Sequence, residues 1–166
     1  MTNRKSLSDA FYETLKDIYF AEKQILKSLR KAMAAAQAPD LKQAFETHAN
    51  ETATHVERLN KVFGLIGKTA RAKTCDAMQG ILAEMEENAE AFGKTEASDA
   101  VLISSAQTIE HYEIARYGTL RTWAAELGLD DVEKLLAETL EEEKRTDALL
   151  SAIAERESNP RALQMA

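Results

Sequence analysis

The sequence predicts an all-α fold: four long antiparallel helices in two hairpins, joined by a long crossover that carries a short fifth helix. Three observations lead there. Ala, Leu, Glu and Lys dominate the 166 residues while Gly (6) and Pro (2) are scarce, and the common four lose little rotamer freedom in a helix. Apolar residues recur at helical spacing through four long stretches. Turn-forming residues cluster where those stretches end.

The first helix runs from Ser6 to about Gln37 on Leu7, Phe11, Leu15, Ile18, Tyr19, Ile25, Leu26, Leu29 and Met33. Pro39 breaks the pattern, and Asp40 reads as the cap of a second helix. That helix reaches about Ile66 through Leu41, Phe45, Val56, Leu59, Val62 and Phe63, and Gly67 stops it. A polar stretch, Lys68 to Thr74, leads to a shorter helix over about Cys75 to Phe92. The third long helix spans about Ser98 to Leu127 and ends at Gly128. The fourth begins at Asp130 or Asp131 and runs to about Ser158, where Asn159-Pro160 should stop it and leave the last residues frayed. Each long helix would measure about 40 Å at about 1.5 Å per residue. Tight turns at Pro39 and Gly128 make antiparallel neighbours, and two hairpins joined by one long connection is the connectivity of ferritin-like bundles.

Length fits a single domain over 1–166 with a core at about 6–158. The formal net charge of −7 and a pI near 5.1 argue against a nucleic-acid partner, because an acidic surface repels phosphate. The single cysteine, Cys75, excludes an intramolecular disulfide and suits a reducing cytoplasm. The N-terminal stretch has an early Asp and Glu and no continuous apolar run, so neither a signal peptide nor a membrane span is expected.

The two hairpins echo each other. Setting Leu15 beside Ile103 brings Glu22 to Glu110, and setting Leu41 beside Val132 brings Glu51 to Glu142. At 100° per residue, Leu15, Glu22, Leu29 and Met33 fall within about 40° of one line, so Glu22 faces the core. The third helix gives Ile103, Glu110, Ile114 and Tyr117, with Glu113 at the edge. The second gives Leu41, Phe45, His48, Thr52, His55 and Leu59, with Glu51 at the margin. The fourth gives Val132, Leu136, Thr139, Glu143, Thr146 and Leu150, with Glu142 at the margin.

Buried carboxylates cost several kcal/mol each unless cations compensate them. No Lys or Arg occupies the centre of these stripes. A pair of bound metal ions would, given a carboxylate from each helix and one or two imidazoles. The alternative is that each Glu is a boundary residue whose carboxylate reaches water. His48 and His55 have the same two readings, as ligands or as core-edge histidines, and His111, one step from Glu110, is expected to face out or toward a partner.

Ala21-Glu22-Lys23-Gln24, His48-Ala49-Asn50-Glu51-Thr52, Glu110-His111-Tyr112-Glu113-Ile114-Ala115 and Glu142-Glu143-Lys144-Arg145-Thr146-Asp147 resemble the YciE/YciF-like family. So do Val56-Glu57-Arg58-Leu59, Lys73-Thr74-Cys75-Asp76-Ala77-Met78 and Trp123-Ala124-Ala125-Glu126-Leu127-Gly128. The resemblance covers about Leu7 to Ala154. It implies a ferritin-like bacterial stress protein that dimerises. By analogy of fold it implies a ferroxidase- or peroxide-related di-metal role with iron or manganese, oxygen or peroxide being the small oxidant. Within the wider group, Glu22 resembles the single Glu of the first helix and Glu110-x-x-Glu113 the rubrerythrin pattern. Glu-x-x-His is missing elsewhere: Thr54 stands three residues after Glu51, and Arg145 three after Glu142. The expected metal set is Glu22, Glu51, His55, Glu110, Glu113 and Glu142. An Arg145 folded inward would instead neutralise the acids and leave a metal-free dimeric interaction protein.

Overall fold

A computed structural model describes residues 4–164, and every ordered element in them is helical. Helix α1 covers Leu7–Ala35, α2 Pro39–Leu65, α3 Asp76–Phe92, α4 Ser98–Glu126 and α5 Asp130–Ile153. A π-helical turn, Ala154–Ser158, connects α5 to a last short helix, α6, at Asn159–Leu163. No helix is long and apolar enough to cross a membrane among the described residues.

Local chemistry explains most boundaries. Ser6 opens α1 with a capping box: its hydroxyl accepts from the Asp9 amide, and the Asp9 carboxylate accepts from the Ser6 amide at 2.7 Å. Pro39 is the first residue of α2 rather than a break before it. Its ring sets the helical φ, and its missing N–H would lack a partner there in any case. Gly67 and Gly128 stop α2 and α5's predecessor α4 at φ 67° and 69°. In both, the residue after the glycine donates back across the last turn, Lys68 to the Phe63 carbonyl and Leu129 to Ala124, each at 2.9 Å.

The four long helices contact in a closed circuit, α1 on α2, α2 on α5, α5 on α4 and α4 on α1. The short turns make α1–α2 and α4–α5 the two hairpins. Helix α3 lies outside this circuit, chiefly against α4. Phe11, Leu15, Ile18, Ile25, Leu41, Phe45, Leu59, Val62, Ile103, Leu120, Leu136 and Leu150 fill the interior. The hairpins are tied together at one end by Asp99 at the start of α4. Its buried carboxylate accepts from the Gln37 and Ala38 amides, both at 2.8 Å, and so caps α2 from outside its own sequence.

The chain end differs from expectation. Asn159-Pro160 does not stop the helical path. A proline inside an α-helix lacks the N–H and drives its ring into the preceding turn, and the wider π turn just before it makes room for the ring. Helix α6 is then held in place rather than frayed: Arg161 reaches Glu96 at 3.1 Å and also bonds the Gln37 side chain. The expected fraying of residues 165–166, like the opening three residues of the N-terminal reading, lies outside the described residues.

Candidate metal centre

Each long helix sends polar side chains into the middle of this interior. Helix α1 contributes Glu22, α2 contributes His48, Thr52 and His55, α4 contributes Glu110, Glu113 and Tyr117, and α5 contributes Glu143 with Thr146 at its side. All are buried. His48, Thr52 and His55 share one face because steps of four and three residues return to the same side of a helix, and so do Glu110, Glu113 and Tyr117.

Two groups of ligand-type atoms result, each with its members within 4.8 Å of one another. One is His48, Glu110, Glu113 and Glu143; the other is Glu22, His55 and Glu143. Glu143 belongs to both. Its two oxygens divide between them, Oε2 lying 3.6 Å from His48 Nε2 and Oε1 3.0 Å from His55 Nδ1. His48 Nε2 is 3.0 Å from Glu110 Oε1, and His55 Nδ1 is 3.4 Å from Glu22 Oε1. These approaches are close, yet they are not aligned as hydrogen bonds. Both imidazole nitrogens, both oxygens of Glu113 and of Glu143, and one oxygen each of Glu22 and Glu110 have no hydrogen-bond partner. Buried polar atoms are normally satisfied, so this concentration at the centre of one core requires a reason.

Tyr117 donates to Glu22, which fixes one of its oxygens. No Lys or Arg pairs with Glu22, Glu110, Glu113 or Glu143 among the described residues. Protons and imidazolium charge therefore balance the acids. Burial pushes Glu113 well above the usual carboxylate range, helped by Glu143, Glu22 and Glu110. Burial likewise raises Glu143, to about 8, against the opposing contact with His55. Burial disfavours charge on His55, but its contacts with Glu143 and Glu22 outweigh that and lift it to about 10. His48 rises in the same way through Glu110.

Of the residues expected from sequence, Glu22, His55, Glu110 and Glu113 meet in these groups, whereas Glu51 and Glu142 stand at the rim, their side chains 30% and 21% exposed. Arg145 does not fold inward: its side chain is 67% exposed and reaches only toward Glu51, at 3.9 Å. Arg58 is the cation at the rim, bonded to Glu142 at 2.7 Å and to the Thr139 hydroxyl at 2.6 Å. His48 and Glu143 take inward places that the metal set drawn from sequence left open. The signal for both was helical phase, which put them on the central line of α2 and α5 and put Glu51 and Glu142 at the margin. His111 faces out, as expected, and meets Asp147 at 3.2 Å.

Fold and site together define a helical-bundle protein with a carboxylate- and histidine-lined interior. Residues 6–163 match the family described as a domain of unknown function, DUF892, and the chain belongs to that family. It is 44% identical to protein YciF of Escherichia coli K12 over 162 residues, covering 96% of this chain and 97% of the relative. The crystal structure of the E. coli stress protein YciF superposes with a TM-score of 0.89 at 43% identity, covering 94% of this chain and 99% of that one. YcfI from Rhodopseudomonas palustris gives a TM-score of 0.87 at 39% identity over 90% and 96% of the two chains. A Xanthomonas campestris protein shares the fold, with a TM-score of 0.77 at 19% identity over 96% and 99%.

Proposed function

We propose that this chain is a ferritin-like carboxylate protein that holds two metal ions, iron or manganese, and serves a redox task in a bacterial stress response. The observation that carries the reading is Glu143, fully buried, with both oxygens unpartnered and shared between two groups of ligand atoms. His48, Glu110, Glu113 and Glu143 would hold one ion, and Glu22, His55 and Glu143 the other. The donor set suits the metals: carboxylate oxygens with one imidazole per ion favour iron or manganese over metals that need thiolate. Four buried carboxylates against two divalent ions also remove the charge problem that protons solve in the metal-free protein. When bound, such ions supply electron exchange with a small oxidant such as oxygen or peroxide. The protein's own part is to hold the carboxylates together in a buried interior and to fix Glu22 through the Tyr117 hydroxyl. The stress role rests on the likeness to the E. coli stress protein YciF.

Metal analysis by mass spectrometry after aerobic purification and ferrous loading tests this. About two metals per chain are expected for the wild type, with Glu143→Ala losing both. Background metal in the loaded wild type would overturn the reading. A second reading, a metal-free dimeric interaction protein of the stress response, draws support from the raised His48 and His55, whose positive charge offsets the acids without metal. The same measurement decides between the two.

A further inference from the structure

Glu51 and Glu142 occupy matching places in the two hairpins, and each stands behind one of the two inward histidines. Glu142 Oε2 lies 2.9 Å from His55 Nε2, on the side of the ring opposite Glu22 and Glu143. That carboxylate is itself held by Arg58, through Nη1 at 2.7 Å to one oxygen and Nη2 at 3.3 Å to the other. Arg58 is anchored in turn on the Thr139 hydroxyl. A carboxylate clamped by an arginine can only accept, so the ring nitrogen facing it carries the proton. On giving up its second proton to metal, His55 would keep Nε2–H committed outward and leave Nδ1 toward the interior.

At His48 the arrangement is reversed. Nδ1 lies 3.2 Å from the Thr146 hydroxyl, and that hydroxyl lies 3.5 Å from Glu51 Oε2. A hydroxyl can accept from the ring and pass its own hydrogen to the carboxylate, so Glu51 acts on His48 through Thr146. The nitrogen left for the interior is Nε2, the atom beside Glu110 and Glu143.

We infer that Glu142 and Glu51 are positioning residues that fix the two histidines in opposite tautomers, so that His55 presents Nδ1 and His48 presents Nε2 to the metals. This rests on the two-metal reading. It gives the rim acids a task other than ligation and explains why Arg58 lies half-buried against Glu142: a carboxylate that orients a ligand must itself be held.

The test is a two-bond proton–nitrogen correlation spectrum of protein labelled with 15N-histidine and loaded with Zn2+, a diamagnetic probe. One ring should show a metal-bound Nδ1 with a protonated Nε2, a second the reverse, and exposed His111 neither pattern. Glu142→Ala should erase the slowly exchanging Nε2 proton of the first ring alone and weaken Zn2+ binding roughly 10- to 100-fold. Glu142→Gln, which keeps an acceptor, should restore the proton and much of the affinity. Both histidines bound through the same nitrogen, or His55 bound through Nε2, would overturn the inference while leaving the metal reading intact, and the wild-type spectrum alone decides that. No zinc-dependent change in any histidine would overturn both.

Discussion

Glu113 offers the sharpest separation between a residue kept for stability and one kept for a site. It is fully buried, both its oxygens lack partners, and burial with three neighbouring carboxylates pushes it well above the usual carboxylate range and favours its protonated form. A neutral carboxylic acid left unsatisfied in a core costs about 1–3 kcal/mol. Glu113→Leu keeps similar volume and removes that cost, so the metal-free variant should be more stable than the wild type by about that amount. For a chain of this size 1 kcal/mol moves Tm by about 2–4 °C, which gives a rise of about 2–12 °C. Under the two-metal reading, metal should reverse the ranking. An ion at about one hundred times its Kd adds about 2.7 kcal/mol to a protein that binds it only when folded, so Mn2+ should raise the wild type by about 5–10 °C. The variant, one carboxylate short, should lose most of that shift. Thermal melts by circular dichroism, with chelator and with Mn2+, read both quantities. A metal-free Glu113→Leu that melts below the wild type would show that the acid is satisfied by something else. Equal Mn2+ shifts in the two proteins would remove Glu113 from the centre.

Three further outcomes follow from the same geometry. Glu143 holds its proton to about 8 against an ordinary 4.5, and His55 to about 10 against 6.5, so between those values the folded protein binds more protons than the unfolded chain. Stability of the metal-free form therefore falls as pH rises from about 4.5 to 10, and urea midpoints at about pH 6, 8 and 10 should decline in that order. A midpoint that rises with pH would contradict the protonation pattern. Asp99→Ala leaves the Gln37 and Ala38 amides without their acceptor. It should cost about 3 kcal/mol by denaturant titration, with Asp99→Asn losing less. Calorimetric titration with Mn2+ should resolve two unequal steps, because one group offers three carboxylates and a histidine and the other two carboxylates and a histidine. Glu22→Gln should abolish the weaker step and spare the stronger.

The helices and their turns were legible because each is set by local chemistry. Ser6 and Asp9 close a capping box, while Gly67 and Gly128 supply the left-handed residue that ends a helix. The chain end was less so, since a π turn is a tertiary compromise and Pro160 reads as a stop in any local rule. Helix α4 was the least legible part of the site. It packs against α1, α3 and α5, so Ser98, Asp99, Ser105, Glu110 and Glu113 are buried on more than one side, and a single stripe cannot describe it. Glu113, at the edge by angle, is at the centre by contact. In α2 and α5, helical phase and internal alignment gave different answers. Alignment favoured Glu51 and Glu142 because both hairpins carry them, whereas phase placed His48 and Glu143 inward. Phase matched the burial, because a side chain's direction follows from its turn of the helix, whereas a shared residue can recur on the rim for a reason of its own.

That reason bears on how the two halves differ. Setting α2 against α5 in the register that aligns Leu41 with Val132 also aligns Thr52 with Glu143, His55 with Thr146 and His48 with Thr139. The same three inward positions exist in both hairpins but carry different side chains, so two matching hairpins enclose a site without matching chemistry. Only the rim acids and the pair Glu22 and Glu110 keep the symmetry. Where α5 has Glu143, reaching both groups, α2 has Thr52, whose buried hydroxyl finds no partner; where α2 has His55, α5 has Thr146, which serves His48 instead. A core selected only for packing would gain by exchanging these polar residues for Leu or Val, since each unsatisfied group costs about 1–3 kcal/mol. The asymmetry also leaves a direction in the site, with the ligand-poor group beside Tyr117 and the ligand-rich group beside Thr146. Two ions, were they held in such different surroundings, would not share one affinity or one potential, and the chemistry proposed for this protein would use that difference.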